Sequence, residues 1–544
     1  MSRQQTDDRG TAKRVRPRMS RRSAFQLGTG AALGLTGMRR AHTPATRAAG
    51  QDGAATPTSG GTLRYGAVRD ASIFDPHAAG GVSHGWLVGN IYDKLIDFGP
   101  EGDFVGALAE SWESVDALHY TFALRQGVTF HNGQPFTSRD VVATIDWIKD
   151  PEIQATNADV AANLTVEAAD DFTVNLTLAE LDLSLFNALA GDAFYIMSAD
   201  DVGNVFDSPD NYNGTGPFTL EGWEPRSYFN LTKYPGFWKP GQPYLDRVEL
   251  RPILDDAARV DALLSGEADL IEYVPWQSFE IVETAGFQLF PSYGLQSFIR
   301  FNQSQPPLDS KPLRQAISYI INRDEINQIA FGGLGKPITG PLQPEDSPYY
   351  FEELEGSYQQ DWERATELIQ EAGYASVADV PPIDFQVSTS ALSQQPAQVI
   401  QQQLQDFGLT VEFRTVDVAT LLQNRADGTY VLHMDGGGMA WPDPDYLRSI
   451  FHSADGTVYA VGVEYGNPEL DALLEQGADT EEVAARQEIY RQVEQIILDD
   501  VPWAFVLWRT QAEAAAPYVR GYYDLPAGLE TYRVDHFEAI WFDQ

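Results

Sequence analysis

The sequence predicts an α/β fold built from more than one domain. The chain has 544 residues, of which 43% are hydrophobic, enough to bury a large core and to divide into two or three domains. Residues 255–274 and 396–416 each predict a helix, a glycine that ends it and then a strand. This helix-to-strand rhythm is typical of α/β lobes.

The first half of the chain carries mainly strand signals. Residues 60–68 predict a first strand after a flexible lead-in, and 120–124 alternate as a half-buried strand. Thr137 and Asp140 have the spacing of a capping box, which predicts a helix from there to about Lys149.

Two further strand regions follow. Residues 164–178 predict a hairpin with Asp170 and Asp171 at its tip, and 213–253 predict a strand pair around aromatic-rich loops.

The second half predicts more helix. Pro312 is expected at the first helical position of one helix, and Asp361 is expected to cap another that ends near Gly373. Residues 467–508 predict two helices and then a buried strand.

Charge and composition exclude several classes of function. The formal net charge is −41, and the basic residues are concentrated in the first fifty positions, so the remainder is still more acidic. Such a surface repels nucleic acid and anionic lipid, and we expect no nucleic-acid partner. The absence of cysteine excludes disulfides, thiolate metal sites and cysteine nucleophiles.

The N-terminal residues predict an export signal. A basic segment precedes a short Gly/Ala-rich stretch from Ala24 to Gly37, which is too short and too rich in glycine to span a bilayer stably. Arg21 and Arg22 resemble a twin-arginine signal, although Ala24 stands where a phenylalanine is usual. We assign residues 1–59 to this signal and a small-residue linker.

No catalytic or metal motif is apparent. The glycines of 332–340 follow a helix and precede a proline, which indicates a loop and not a phosphate-binding site. The eight histidines are scattered, so we expect no metal ligands, no catalytic residues and no cofactor.

The segment GGGMAWPDPDYL, residues 436–447, combines acids with aromatic rings. The prolines break the pattern of a calcium loop, and two acids two residues apart do not face each other across a sugar. Asp443 precedes a proline and is therefore extended, and Asp445 is expected to cap the following helix. The acids thus favour a structural role, whereas Trp441 in a Gly/Pro loop is expected to face a ligand.

Several segments resemble one family, the solute-binding proteins of bacterial and archaeal ABC transporters in the peptide/nickel class. The resemblance covers about residues 60–540, and its most specific segments are LAESWE (108–113), YTFALRQGVTFHNGQPFTSRDV (120–141), GTGPFTLEGW (214–223), LLSGEADL (263–270) and FNQSQPPLDSKPLRQAISYIINRDEI (301–326).

The resemblance implies a fold similar to type II periplasmic binding proteins, with two α/β lobes joined by hinge crossovers near Gln296 and Leu507. Lobe I is expected to comprise 60–100, 212–295 and 508–544, with an extra domain at 101–211. Lobe II is expected to comprise 296–507.

The resemblance also implies a binding site. Peptide binders of this family anchor the peptide's amino group with an aspartate, and alignment on Asp443-Pro444 places Ala440 at that position. A buried ammonium without a partner costs about 3–5 kcal/mol, so a free amine is disfavoured as a ligand group. A sugar, an opine-like compound or a modified peptide is then expected beside Trp441. The full set of predicted ligand-binding residues is Trp441, Gly437, Gly438, Ala440, Tyr446, Tyr293, Gln296, Tyr273 and Trp276.

We therefore expect an exported, periplasmic or cell-surface-associated monomer that delivers a peptide-like or other polar small solute to an ABC permease. An oligosaccharide-binding member of the same family is one alternative. A secreted glycoside-active enzyme that uses Asp443 and another acid is the alternative from a different class.

Overall fold

A computed structural model describes most of the chain after the predicted signal segment. The described residues are 56–70, 75–77, 85–153, 155, 158–191, 194–203, 206, 208–345, 347–438, 443–453, 465–523 and 536–543. The predicted export signal and the predicted ligand residues Ala440 and Trp441 lie outside them.

The architecture is α/β, as predicted. The strands in chain order are β1 (Thr62–Ala67), β2 (Ile96–Phe98), β3 (Phe104–Gly106), β4 (Ala109–Asp116), β5 (His119–Leu124), β6 (Leu164–Asp170), β7 (Thr173–Leu178), β8 (Phe218–Glu224), β9 (Tyr228–Lys233), β10 (Arg247–Pro252), β11 (Leu270–Ile271), β12 (Gln288–Phe301), β13 (Lys336–Pro337), β14 (Ile383–Ser388), β15 (Val411–Val416), β16 (Leu432–Gly438), β17 (Trp503–Ala515), β18 (Val519–Arg520) and β19 (Trp541–Phe542). The helices are α1 (Gly85–Val88), α2 (Ser138–Ile148), α3 (Ala158–Ala162), α4 (Leu185–Ala190), α5 (Asp256–Ser265), α6 (Phe279–Thr284), α7 (Lys311–Ile320), α8 (Arg323–Phe331), α9 (Trp362–Glu371), α10 (Ala391–Phe407), α11 (Val418–Ala426), α12 (Tyr446–Phe451), α13 (Pro468–Ala478) and α14 (Val483–Asp500).

One large mixed sheet runs through the molecule in the order β15-β14-β16-β12-β17-β11-β1-β10-β9-β8, and β13 pairs with β17. Its two ends come from different parts of the chain. Strands β11, β1, β10, β9 and β8 form one end, and β14 to β16 form the other. The parallel pairs β1–β10 and β14–β15 lie at opposite ends, each in an α/β arrangement.

The long strands β12 and β17 join the two ends of the sheet. They pair antiparallel along most of their length, with Gln296 opposite Trp508 and Ser297 opposite Leu507. The pairing shifts register between Ser297 and Phe298, and such irregularities bend and twist a strand locally. The crossovers predicted near Gln296 and Leu507 therefore lie on two neighbouring strands, next to this shift of register.

A second sheet, in the order β4-β5-β7-β6, stands apart from the first. Alternate residues of β5 and β7 point into its core, as the predicted period of two requires, and helix α2 contributes Ile145 to that core. The capping box of α2 is confirmed, because the Thr137 amide donates to the Asp140 carboxylate at 2.8 Å. The hairpin of β6 and β7 turns at the predicted acidic tip.

The caps of the second half are largely as predicted, and two helix starts differ. Asp361 caps α9 by accepting from the Arg364 amide at 2.9 Å. Helix α7 begins at Lys311, one residue before the position expected from Pro312. Helix α10 begins at Ala391 and contains Pro396, so the proline does not mark its start. The region 213–253 holds three strands where a pair was predicted.

Within the part of the chain that the structure describes, every helix falls short of the length or the apolar content that a bilayer span requires.

Candidate functional site

A run of glycines ends strand β16 beside β12. Gly437 pairs with Gln296, and Gly438 pairs with Leu295. A Cβ atom added at Gly436 would lie 2.9 Å from the backbone oxygen of Gln296, which is too close for a side chain. The small residues therefore let β16 lie close to the strand that joins the two halves.

A pocket of about 200 Å³ lies between the two halves of the protein. Tyr273, Trp276 and Gln277 line it from one side, and Phe331, Gln395 and Pro396 line it from the other. Aromatic and apolar walls with a few polar groups are typical of small-molecule sites. Two predicted ligand-binding residues, Tyr273 and Trp276, are thus brought together at one concave surface.

Direct hydrogen bonds connect the two walls of this pocket. The indole Nε1 of Trp276 donates to the backbone oxygen of Ala330 at 2.8 Å, and the amide of Gln277 donates to Gln395 Oε1 at 3.4 Å. Tyr273 has φ of 47°, a region that residues other than glycine rarely adopt, and burial raises its pKa to about 12. Its hydroxyl therefore stays protonated and keeps its donor at neutral pH.

Two other predicted ligand residues turn away from the pocket and into the protein. Gln296 is fully buried, and its Nε2 points to the backbone oxygen of Leu342 at 3.5 Å. The hydroxyl of Tyr446 donates to the same oxygen at 3.2 Å. Both side chains thus support the glycine run from within.

The two acids of the PDPDY segment are held by structural partners. Both oxygens of Asp443 accept from the guanidinium of Arg486, each at 2.7 Å. Asp445 accepts from Tyr490 at 2.8 Å and forms an ion pair with Arg448 at 3.1 Å. This agrees with the predicted structural role. The predicted capping bond is wrong, because the Asp445 carboxylate makes no bond to the helix amides and binds these side chains instead.

A further acid lies at the start of the glycine run. Asp435 Oδ2 is 3.0 Å from Arg300 Nη2 and 3.3 Å from Arg425 Nη1. The arginines and the neighbouring His433 hold the pKa of Asp435 below its ordinary value, although burial acts in the opposite direction. We call Asp435 with Arg300 and Arg425 the Asp435 clamp. The Arg300 guanidinium also lies 4.5 Å from the ring centre of Trp503, so the Asp435 clamp contacts both hinge strands, β12 through Arg300 and β17 through Trp503.

Three further predicted site residues lie on strands of the large sheet. Tyr293 lies in β12 opposite Thr510, and Gly437 and Gly438 lie in β16. The sequence reasoning missed Phe331, Gln395 and the Asp435 clamp. No local motif distinguishes these residues, because they reach the site through long-range packing.

Comparison with known proteins gives a family match over most of the chain. The model for bacterial extracellular solute-binding proteins, family 5, middle region, matches residues 103–458. The glutathione-binding protein GsiB of Pectobacterium atrosepticum is 27% identical over 470 residues, which are 84% of this chain and 90% of that protein.

Solved structures are similar over nearly the whole described chain. The periplasmic binding protein AgaA of A. tumefaciens R10, in complex with agropinic acid, has a TM-score of 0.79 at 28% identity and covers 89% of this chain and 99% of its own. The ABC transporter substrate-binding protein CtaP of Listeria monocytogenes has a TM-score of 0.78 at 28% identity, with 90% and 100% covered.

Proposed function

This chain belongs to the bacterial extracellular solute-binding proteins of family 5, and from that premise we propose the class of solute it carries. It is an extracytoplasmic solute-binding protein of an ABC importer for peptides or peptide-like ligands, and it is not an enzyme. Its fold is that of the two-lobed type II periplasmic binding proteins.

The binding cycle follows from two lobes on a common hinge. A solute that contacts both lobes stabilises their closed arrangement, and the closed form is then the one that an ABC permease recognises. The pocket with Tyr273 and Trp276 on one wall and Phe331 on the other supports this mechanism, because a ligand there would touch both sides.

The proposed solute is a peptide-like or opine-like molecule whose recognition does not depend on a free amino group. One observation carries this proposal: the three described aspartates of the glycine run and the PDPDY segment already have cationic partners. Asp435 is bound by two arginines, Asp443 by Arg486 and Asp445 by Arg448. The sequence adds Ala440 at the position where peptide binders of the family carry an aspartate. A ligand ammonium would therefore compete with arginine for every one of these carboxylates.

The known ligands of similar proteins are compatible with this class. GsiB is named for glutathione, a peptide, and AgaA is bound to agropinic acid. We accordingly propose Trp276, Tyr273, Gly437, Gly438 and the loop residues Ala440 and Trp441 as the ligand-facing set. Tyr293 stays in this set, and Gln296 and Tyr446 are proposed to act as its support.

An oligosaccharide is the second candidate. The aromatic lining of the pocket favours it, because Trp276, Tyr273 and Phe331 offer ring faces on which a sugar stacks.

Isothermal titration calorimetry with paired ligands tests the proposal. The panel comprises glutathione, a tetrapeptide, the N-acetylated form of each, agropinic acid and a cello-oligosaccharide. We expect N-acetylation to change the affinity of any bound peptide by less than about tenfold, because Asp435, Asp443 and Asp445 already pair with arginines. Tight binding of free peptides that disappears on acetylation would contradict the proposal.

Matched variants locate the site in the same experiment. Trp276→Ala should weaken binding of every accepted ligand, whereas Trp362→Ala removes an exposed tryptophan of helix α9 and should not. Equal effects of the two variants would show that the pocket is not where the solute binds.

We also propose the finer organisation expected from the sequence. Lobe I would comprise 60–100, 212–295 and 508–544, and lobe II would comprise 296–507. The separate core and sheet of residues 109–178 support an extra domain at 101–211. The protein would act as a monomer with the membrane subunits of a permease.

Export by the twin-arginine route is proposed for residues 1–59. Replacement of Arg21 and Arg22 by lysine should abolish the appearance of the protein outside the cytoplasm in a twin-arginine-competent host, as followed by cell fractionation. Unchanged export of the double variant would contradict this route.

A further inference from the structure

Four buried polar side chains meet around the peptide group of Leu342. Gln296, Gln343, Tyr446 and Glu494 are each less than a tenth exposed. The Leu342 amide donates to Glu494 Oε2 at 3.0 Å, and the Leu342 carbonyl accepts from Tyr446 at 3.2 Å. We call these four side chains the Leu342 cluster.

The Leu342 cluster is incompletely hydrogen bonded. Among the described residues, Glu494 Oε1 and Gln296 Oε1 have no hydrogen-bond partner. No described basic side chain forms an ion pair with Glu494, in contrast to the acids of the neighbouring PDPDY segment. A fully buried carboxylate without a cation is costly in its charged form.

The charge state of Glu494 follows from these surroundings. Burial raises its pKa to about 8, and the negative charge of Glu353 adds to the rise. Burial, and then the charge of Glu494, raise the pKa of Tyr446 well above its ordinary value. At neutral pH the Glu494 side chain is therefore mainly a neutral acid, which has an O–H donor as well as acceptors.

The position of the cluster connects it to the proposed binding site. Gln296 lies in hinge strand β12 directly opposite Gly437, and Tyr446 is the first residue of helix α12, after the PDPDY segment. Helix α14 carries Glu494 and, two turns earlier, Arg486, which holds Asp443. The same helix thus holds Asp443 and, through Leu342, Tyr446, and both follow the proposed ligand residues in sequence.

We propose that Glu494 is a positioning residue that binds a proton and, in its neutral form, holds Gln296 in place beside Gly437 and Tyr446 at the start of helix α12. The neutral acid donates from Oε1 to an amide oxygen of Gln343 or Gln296, through a water molecule or after a small rotation. On deprotonation the proton goes to solvent, so the Oε1 donor and its hydrogen bond to the amide oxygen are lost. The cluster rearranges, and the support of the glycine run is lost.

Hydrogen–deuterium exchange in the absence of solute tests this proposal. Exchange would be followed for residues 339–345, 432–438 and 443–450 between pH 6.5 and 9.5, with correction by an unstructured peptide of the same sequence. The variants are Glu494→Gln, which mimics the neutral acid, and the control Glu488→Gln, which changes an exposed glutamate of the same helix.

The expected results differ sharply between the variants. Wild type and Glu488→Gln should lose protection in these segments several-fold as the pH passes about 8, whereas Glu494→Gln should stay protected over the whole range. The proposal is overturned if Glu494→Gln loses protection like wild type, or if wild type shows no loss.

A binding measurement extends the test to function, and this arm rests on the proposed function. With glutathione as the probe, affinity should fall at alkaline pH for wild type and Glu488→Gln but not for Glu494→Gln. A pH-independent wild-type affinity would overturn the link between protonation and binding. If glutathione does not bind at all, the proposed ligand class fails while the exchange experiment still decides the role of Glu494.

Discussion

Two acids that flank the glycine run, Asp435 and Glu494, are held in opposite ways. Asp435 contacts the guanidinium groups of Arg300 and Arg425, and its pKa lies below the ordinary value. Glu494 contacts a backbone amide and uncharged side chains, and its pKa rises to about 8. Burial disfavours the charged form in both, and only Asp435 has neighbours, His433 and the two arginines, whose charges reverse the result.

The difference between these two pKa values distinguishes a support whose charge is constant from a support whose charge changes with pH. A carboxylate between two arginines keeps its charge over the physiological pH range and secures β16 against β12. A carboxyl group without a cation changes its charge near neutrality. The same binding segment is therefore supported by one clamp that is insensitive to pH and by one cluster that is expected to respond to it.

The largest effect is expected from removing the cation of a paired acid. Arg486→Met would leave Asp443 largely buried without its bidentate partner. We expect a loss of about 3–5 kcal/mol in the free energy of unfolding, measured by urea denaturation. The control Arg491→Met breaks an exposed pair with Glu488 on the same helix and should behave nearly as wild type. A loss of the same size in both would remove the distinction between buried and exposed pairs.

The unpaired acid should show the reverse pattern. Between the ordinary pKa of 4.5 and the folded value of about 8, the unfolded chain releases the Glu494 proton and the folded protein keeps it. Wild-type stability should therefore fall as pH rises through this window, while Glu494→Gln lacks this contribution. Each pH unit changes the free energy of unfolding by about 1.4 kcal/mol, so the variant should be the more stable by about 3 kcal/mol near pH 7. Denaturation curves at several pH values that show parallel slopes would contradict this.

Asp435 gives the opposite pH dependence and a smaller effect. Asp435→Asn leaves the two arginines with a neutral amide and should cost about 2 kcal/mol at neutral pH. Because the folded pKa is lowered from 3.8, the wild-type contribution is present above that value and is lost as pH falls below it. The stability difference between wild type and variant should thus shrink in acid. A constant difference from pH 7 down to pH 3 would show that the charge of Asp435 is not what stabilises the clamp.

The smallest effect is expected at the pocket between the halves. Trp276→Phe keeps an aromatic ring but removes the indole hydrogen bond to Ala330. This change should lower the free energy of unfolding by about 1 kcal/mol and weaken solute binding several-fold. Trp362→Phe, on helix α9, removes a comparable indole hydrogen bond to the Ile320 carbonyl of helix α7 and should leave affinity unchanged. Thermal unfolding and calorimetry would separate the two effects, and equal affinity losses would argue against a role of Trp276 at the pocket.

Much of the local structure was predictable because it depends on neighbours in the sequence. The capping box at Thr137, the cap at Asp361 and the helix-ending Gly266 and Gly408 all involve residues within four positions. Pro396 shows the limit of such rules, since the helix begins five residues before it.

The site was predictable only in part. Tyr273 and Trp276 both line the pocket, since they share one short segment, and their contact with a ligand stays a prediction. Gln296 and Tyr446 were expected to face the ligand, yet their polar groups turn to Leu342, a residue far from both in sequence. No pattern around either residue indicates which way the side chain points.

The sequence by itself determined the α/β class, the family, several helix ends and the structural role of the PDPDY acids, because these follow from short-range periodicity, caps and recognisable segments. Only the tertiary structure decided the charge state of the acids around the glycine run. Asp435 meets Arg300 across 135 residues and Glu494 meets Leu342 across 152, and a carboxyl group takes its pKa from what burial brings next to it, not from its neighbours along the chain.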